Sequence, residues 1–223
     1  MSVPNRLVDL SHEVGDGVVT YPGLPAPVID DHLSFDDSRD HYAAGTEFRI
    51  GRIQMVANTG TYLDTPAHRY REGFDLAELP LASVADLPGR VVEATGPGGA
   101  VDADAFSDVD VAGAAVLVRT GWDRHWNTDR YGVDHPFLTA SAAATLVERG
   151  AALVGIDSVN IDDTSAGRGE RPVHSQLLAA GIPVLEHLCH LDALAGAAFR
   201  VFAVPPKVRG MATFPVRAFA LVG

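Results

Sequence analysis

Residues 139–157, TASAAATLVERGAALVGID, decide the fold because they hold a helix and a strand in immediate succession. Thr139 suits the N-cap of an alanine-rich helix, and Gly150 suits the position just after its end. The apolar run 152–157 then predicts a strand. The flanking segments continue the alternation, with strand 115–119, helix 173–180 and strand 183–186. This order is typical of consecutive right-handed βαβ units, so we predict an α/β class with a mixed sheet.

The N-terminal half is rich in predicted strands and poor in helices. Further apolar runs predict strands at 7–10, 47–57, 90–94, 198–204 and 216–222. Within 47–57 the alternation changes register at Gly51, where a bulge is expected. The Pro-, Asp- and Gly-rich residues 22–45 predict a long surface loop. No repeat or linker divides the chain, and we expect one domain over residues 1–223.

Composition limits the classes of function. The 223 residues include 29 Asp and Glu against 17 Lys and Arg, a net charge of −12. That sign argues against nucleic acids and anionic membrane surfaces as partners. No apolar run approaches the roughly 20 residues of a membrane span, and the start lacks the apolar core of a signal peptide. The single cysteine, Cys189, fits a reducing, cytoplasmic location and is expected to be a buried apolar residue.

The most unusual stretch is residues 58–68, NTGTYLDTPAH, which brings titratable side chains directly after an apolar strand. If it is extended, Asn58, Gly60, Tyr62 and Asp64 share one face. A carboxylate and an imidazole four residues apart, at Asp64 and His68, suit metal ligation or proton transfer. A turn with a hydrogen-bonded aspartate has the same pattern, so the stretch alone leaves both interpretations open.

Two downstream residues are also ambiguous alone. His174 is predicted to open a helix, and Glu186 to end a strand, where it faces either a pocket or solvent. Residues 157–165 follow another strand end and predict either a pocket wall or a solvated loop.

Taken together, these motifs are similar to those of the metal-dependent cyclase-like hydrolase family, which includes bacterial kynurenine formamidase and isatin hydrolase. The stretch 58–68 matches the family signature His-x-Gly-Thr-His-x-Asp-x-Pro-x-His, and His174 and Glu186 match its later His-x-x-Leu-Leu and Leu-Glu motifs. Shorter matches run nearly end to end, at 9–12 (DLSH), 21–23 (YPG), 118–122 (VRTGW) and 215–218 (PVRA).

The resemblance implies a swivelling β/β/α fold of the putative-cyclase type, usually oligomeric, with one or two metals that activate water to open an amide or lactam. Carried over to this sequence, one metal position comprises Asp64, His174 and Glu186. His68 takes the place of the family's proton-moving histidine. Tyr21 takes the place of an aromatic residue in the substrate pocket.

The chain departs from the family pattern at Asn58 and Tyr62, which stand where the family has two metal-binding histidines. An amide oxygen is a weak zinc ligand, and a phenol coordinates well only once ionised. We therefore predict that this metal position is lost, that Asn58 lines the pocket, and that Tyr62 donates its hydroxyl to Asp64 or to substrate. One Zn²⁺ or Mn²⁺ would remain.

Other candidates have a plainer interpretation. Trp122, with the neighbouring His125 and Trp126, could line a pocket, although core or interface packing is favoured. The remaining residues are expected to be structural or solvated, namely His12, Arg168, Arg171, His187 and His190.

The leading hypothesis is a cytoplasmic homo-oligomer, dimer or tetramer, that hydrolyses a cyclic or formyl amide of a small-molecule substrate. It uses one metal, with His68, Tyr62 and Asp64 as catalytic residues. A second hypothesis is a metal-independent cyclase or dehydratase of polyketide-type biosynthesis, with Tyr62 and His68 as acid and base. A third is a non-catalytic homologue that binds a small molecule.

Overall fold

The computed structural model of the chain describes residues 6–96, 99–165 and 169–223. Its strands, in chain order, are β1 (Arg6–Asp9), β2 (Val28–Leu33), β3 (Ile50–Gln54), β4 (Tyr62–Asp64), β5 (Leu87–Glu93), β6 (Ala100–Val101), β7 (Ala115–Arg119), β8 (Phe137–Leu138), β9 (Leu153–Ile156), β10 (Val184–Glu186), β11 (Phe199–Phe202), β12 (Thr213–Pro215) and β13 (Phe219–Val222). Its α-helices are α1 (Phe35–Ser38), α2 (Ala140–Glu148) and α3 (Pro172–Ala179). Short 3₁₀ turns cover Pro66–His68, Leu81–Ser83, Ala103–Phe106, Trp122–His125 and Leu191–Leu194.

Nine strands form one mixed sheet in the order β1-β13-β11-β5-β7-β9-β10-β4-β12. The central strands β5, β7, β9 and β10 are parallel, and the outer pairs are antiparallel. Helices α2 and α3 connect β7 to β9 and β9 to β10, as the alternation of segments predicted. Thr139 caps α2, its hydroxyl accepting a hydrogen bond from the Ala142 amide at 3.2 Å. The predicted α/β class with a mixed sheet is confirmed.

Two hydrophobic cores cover the faces of this sheet. Along β7, Ala115 and Leu117 belong to one core, whereas Val116 and Val118 belong to the other, which also contains the apolar faces of α2 and α3. A strand buried on both faces needs apolar residues at every position. This explains why the central strands were readable as continuous apolar runs.

The prediction of a long loop over residues 22–45 was wrong. That stretch contains β2 and α1, and β2 pairs with β3 in a separate two-stranded ribbon. Asp30 forms an ion pair with Arg52 and Asp31 with Arg49. Cross-strand charge pairs hold this ribbon, so it lacks the apolar alternation that marks a half-buried strand. The expected bulge lies in β2, between Asp31 and Leu33.

Predicted boundaries elsewhere needed smaller corrections. The strand expected over 47–57 is confined to β3, and the one expected over 216–222 begins only at β13. Among the described residues, no helix has both the length and the apolar character needed to cross a membrane.

Candidate active site

Strand β4 organises the site because it pairs with β10 on one side and β12 on the other. Tyr62 lies directly opposite Glu186, and Asp64 directly opposite Thr213. Residues two apart on a strand, and residues directly opposite across strands, share a face. The register therefore projects all four side chains from one face, while Leu63 points into the core beneath.

Asp162 positions His174 at the start of α3. Its carboxylate accepts hydrogen bonds from the backbone amides of Val173, at 2.7 Å, and His174, at 3.0 Å. It lies 2.6 Å from Nδ1 of the same imidazole. A carboxylate only accepts hydrogen bonds, so Nδ1 carries a proton and Nε2 is directed into the site. Metal-binding histidines commonly donate their other ring N–H to a carboxylate in this way.

His174 Nε2 lies 3.6 Å from Asp64 Oδ2 and 3.6 Å from Glu186 Oε1. These spacings are close to the edge, about 3.4 Å, of a tetrahedron of ligands each 2.0–2.1 Å from Zn²⁺. Asp64 Oδ2 is buried and has no hydrogen-bond partner. An unpartnered buried carboxylate oxygen facing an imidazole nitrogen suits a divalent cation between them. The donors present therefore fit a metal.

The charges of this cluster shift its pKa values strongly. Burial alone lowers the pKa of His174, but the charge of Glu186, the hydrogen bond with Asp162 and the nearby Asp64 carboxylate outweigh it and raise the value to about 10. Burial raises the pKa of Glu186 to about 7, against the opposing charge of His174. A buried group of two carboxylates and one imidazole is a strong cation trap.

Tyr62 is bound to Glu186. Its hydroxyl donates to Glu186 Oε2 at 2.6 Å, and the Ile161 amide donates to Oε1 at 2.7 Å. Burial, followed by the charges of Glu186 and Asp64, raises the pKa of Tyr62 well above its usual value, so the phenol remains a protonated donor. The predicted acceptor, Asp64 or substrate, was wrong, because the strand register places Glu186 opposite Tyr62.

Residues 58–64 are not extended throughout, because the chain turns at Gly60, although Tyr62 and Asp64 do share a face on β4. Gly60 has φ +65°, and a Cβ there would lie 2.4 Å from a Val14 methyl, so both conformation and space require glycine. The Gly60 amide donates to the Thr20 hydroxyl at 2.7 Å, which fixes the turn. Asn58 therefore lies before the turn, half-buried, and its amide lowers the pKa of the Tyr62 phenol slightly against the larger opposing effects.

His68 lies at the solvent edge of the site, at the end of the 3₁₀ turn Pro66–His68, with its side chain 36% exposed. Its Nδ1 is 3.0 Å from the Thr213 hydroxyl and 3.5 Å from Asp64 Oδ1. The hydroxyl of Thr213 in turn contacts Asp64 Oδ1. Asp64, His68 and His174 each offer a ligand atom, all within 4.8 Å of one another.

Comparison with known proteins identifies the family. The family model described as “Putative cyclase” matches residues 8–163. The chain belongs to this cyclase family. It is similar to kynurenine formamidases of Bacillus cytotoxicus (26% identity, 95% of both chains) and Geobacillus thermodenitrificans (27% identity, 96% of both chains).

Solved structures with the same fold include an isatin hydrolase bound to the product analogue thioisatinate, with a TM-score of 0.82 and 22% identity over 98% of this chain and 92% of that one. Another is a potential metal-dependent hydrolase with cyclase activity, with a TM-score of 0.78 and 22% identity over 97% and 98% of the two chains. They confirm the predicted cyclase-type fold.

An aromatic cluster adjoins the site of this cyclase-family chain. Trp122 and Tyr131 form a small core against which Tyr21 packs. The Trp122 indole donates to the Tyr131 carbonyl at 2.8 Å, and the Tyr131 hydroxyl lies 2.8 Å from His187 Nδ1. The His187 ring is 5.0 Å from that of Tyr62. The cluster thus reaches Tyr62 through His187, and packing, as favoured, accounts for Trp122.

The remaining candidates are packing or surface residues. His187 is fully buried, and burial lowers its pKa to about 3, so it is a neutral packing residue. His12 stacks on Trp126 with ring centres 4.1 Å apart. Cys189 is buried, which raises the pKa of its thiol to about 12 and makes it unreactive. His190 is exposed, and Arg171 donates to the backbone carbonyls of Asp163 and Glu170, whereas Arg168 lies outside the described residues.

Two functional positions were missed from the sequence, Asp162 and Thr213. Asp162 lies in the segment 157–165, whose first six residues are buried, so the solvated-loop interpretation does not hold for them. It caps α3 from ten residues before the helix begins, too far for a local capping motif. Thr213 is visible as a partner of Asp64 only through the pairing of β12 with β4.

Proposed function

We propose that this cyclase-family chain is a metal-dependent hydrolase of a formyl or cyclic amide. A single divalent cation would be held by Asp64, His174 and Glu186. The observation that carries the proposal is the buried, unpartnered Asp64 Oδ2, 3.6 Å from His174 Nε2. The similarity to kynurenine formamidases, over 95% of both chains, supports an amide as the bond that is broken.

One cation, and not two, follows from the residues around Tyr62. Asn58 and a protonated phenol are poor ligands where the family pattern has histidines. The Tyr62 hydroxyl instead donates to Glu186 Oε2 and so takes part of the role that a second positive charge would have beside this carboxylate. Two carboxylates neutralise one M²⁺, and the oxygen-rich donor set accepts Zn²⁺ or Mn²⁺.

The bound cation would polarise the amide carbonyl and lower the pKa of water. The chain's own residues then supply orientation and proton transfer. His68, partly exposed beside the cluster, is positioned to accept a proton from water and return it to the leaving nitrogen. Asp162 keeps His174 Nε2 directed inward, and Tyr62 holds Glu186. Tyr21 and Asn58 are the proposed substrate-pocket residues, whereas Trp122 packs in the adjoining aromatic core.

Metal analysis tests the cation. Protein purified without chelator or nickel resin should contain about one equivalent of Zn or Mn per chain. Asp64→Asn and His174→Gln should lower the content below about a tenth of an equivalent, whereas Glu148→Gln, on the exposed side of α2, should retain it. A metal-free wild type whose activity is unchanged by EDTA would overturn the metal proposal and support the metal-independent cyclase instead.

Hydrolysis tests the reaction. An aromatic N-formyl amide and a fused-ring lactam serve as probes, with formate or the ring-opened acid as product. We expect turnover that His68→Gln lowers by roughly 10²–10⁴-fold. A metal-loaded protein that binds but does not hydrolyse either probe would support a non-catalytic binding protein.

The biological setting is also a proposal. A homo-oligomer follows the family resemblance, and a cytoplasmic location is favoured by the single cysteine among 223 residues.

A further inference from the structure

Thr213 joins two groups of the proposed site through one hydroxyl. It is buried on β12, directly opposite Asp64. Its Oγ1 contacts Asp64 Oδ1 and lies 3.0 Å from His68 Nδ1. Among the hydrogen bonds of the described residues, this is the one made by the His68 ring. Thr213 thus makes the hydrogen bond of this partly exposed ring, and the Asp64 carboxylate lies 3.5 Å from the same nitrogen.

The donors and acceptors of this chain of contacts can be assigned. A carboxylate only accepts, so the single hydroxyl proton of Thr213 is directed to Asp64. The hydroxyl oxygen retains lone pairs and can only accept from the imidazole. His68 Nδ1 must therefore carry a proton, and the neutral ring keeps its lone pair on Nε2. The sequence of contacts is His68 Nδ1–H to Thr213 O–H to Asp64 Oδ1.

We infer that Thr213 is a positioning residue that fixes the Nδ1–H tautomer of His68 and so leaves Nε2 as the proton acceptor. The same hydroxyl orients Asp64, engaging Oδ1 and leaving Oδ2 facing His174. The tautomer follows from the geometry alone, whereas its catalytic use rests on the proposed function. Without the hydroxyl, His68 can rotate into solvent or adopt the Nε2–H form, which presents a proton where a base is needed.

The ¹⁵N chemical shifts of the His68 ring, assigned by their loss in His68→Gln, report the tautomer directly. In the zinc-loaded protein, at a pH where the ring is neutral, wild type and Thr213→Ser should give the Nδ1–H pattern. Thr213→Val should give the Nε2–H pattern or a mixture. Thr65→Val is the matched control, since the hydroxyl of that buried threonine donates to the Ala212 carbonyl and not to the His68 ring. An Nε2–H pattern in wild type, or no change in Thr213→Val, would overturn the inference.

Kinetics test whether the positioning matters for turnover. Thr213→Val should lower kcat on the N-formyl probe by about 10–100-fold, the usual range for a residue that orients a site residue by a hydrogen bond, with KM changed less than about twofold. Thr213→Ser should restore most of the rate. In a His68→Gln background, the valine exchange should have a much smaller effect, because only the contact with Asp64 remains to be lost. Equal losses in both backgrounds would mean that Thr213 does not act through His68.

The two measurements separate the inference from the proposed function. If neither amide probe is hydrolysed, the function fails while the ring shifts still decide the tautomer. If hydrolysis is normal but the tautomer is insensitive to Thr213, the inference alone fails. Thr213→Ala, checked by circular dichroism, replaces the valine variant if the latter does not fold.

Discussion

The hydrogen bond between Tyr62 and Glu186 is the feature that distinguishes this site at the scale of single residues. The phenol is buried, and its acceptor is the Glu186 carboxylate, whose charged form is destabilised by its own burial. Removing a donor from such a group leaves part of its desolvation uncompensated. The exchange Tyr62→Phe therefore reports how much of the site's stability depends on this replacement for a metal-binding histidine.

We expect Tyr62→Phe to lower the free energy of unfolding by about 2–3 kcal/mol, measured by urea denaturation with EDTA present. Tyr70→Phe is the matched control, because its hydroxyl donates at 2.7 Å to the Ser175 carbonyl, a neutral and only partly buried acceptor. That variant should lose about 1 kcal/mol. Equal losses would contradict a charged acceptor for Tyr62.

His12 provides a test through pH. Burial lowers its pKa to about 4, with the charge of Asp123 opposing and that of His190 assisting. An unfolded histidine titrates near 6.5, so between pH 6.5 and 4 the unfolded chain binds more protons. The free energy of unfolding must then fall as the pH falls through this window and level off below it.

We expect the wild type to lose about 1–2 kcal/mol more stability than His12→Gln between pH 7 and pH 5, after allowance for partial exposure of the ring. Chemical denaturation of each protein at both pH values measures this difference. The variant also loses the stacking on Trp126, but that loss is the same at pH 7 and pH 5 and so cancels from the comparison. The same pH dependence in both proteins would mean that His12 ionises freely in the folded state.

At the scale of elements, local signals predicted the helices and the buried strands well. Thr139 and Gly150 marked the ends of α2, because caps and stops act within a few residues. Two of the elements that were missed, β2 and β12, are defined by their partners. Their stability comes from pairing with distant segments, which no local window contains.

Asp162 links an element to the site, because it caps α3 and holds His174. In Asp162→Asn, an NH₂ group replaces one of the two accepting oxygens, so that an N–H donor faces another N–H donor. We expect the free energy of unfolding to fall by about 1–3 kcal/mol and the zinc dissociation constant to rise about 10–100-fold. Thr139→Ala, the cap of α2, should cost about 1 kcal/mol without changing zinc affinity. An unchanged zinc affinity in Asp162→Asn would mean that Asp162 caps α3 without positioning His174 for the metal.

At the scale of the whole molecule, the site exists because β4 is inserted between β10 and β12. This insertion brings Asp64 beside Glu186, more than a hundred residues away in sequence. Periodicity and composition do not indicate which distant strands pair, so the sequence identified Asp64, His174 and Glu186 as partners only through the family resemblance. The supporting residues had no motif and could not be predicted.

The ribbon of β2 and β3 is the most exposed apolar part of the molecule. Among the described residues, seven of the twelve exposed large apolar side chains fall within 28–53. Its charges are paired internally, Asp30 with Arg52 and Asp31 with Arg49. A two-stranded ribbon is only marginally stable when nothing packs against it. On a chain of net charge −12, we expect two copies to meet at this self-neutralised apolar surface, where their repulsion is least.

We therefore expect sedimentation analysis to give a dimer or tetramer for wild type. Ile29 and Ile53, directly opposite each other in the ribbon, are 39% and 48% exposed. Exchanging both for threonine removes apolar area worth about 2–3 kcal/mol, so the dissociation constant should rise about 30–150-fold. Leu81→Thr, at a site 66% exposed outside the ribbon, should leave assembly unchanged. A wild type that is monomeric at tens of micromolar would contradict the ribbon as the contact, since this apolar surface would then face water in the native state.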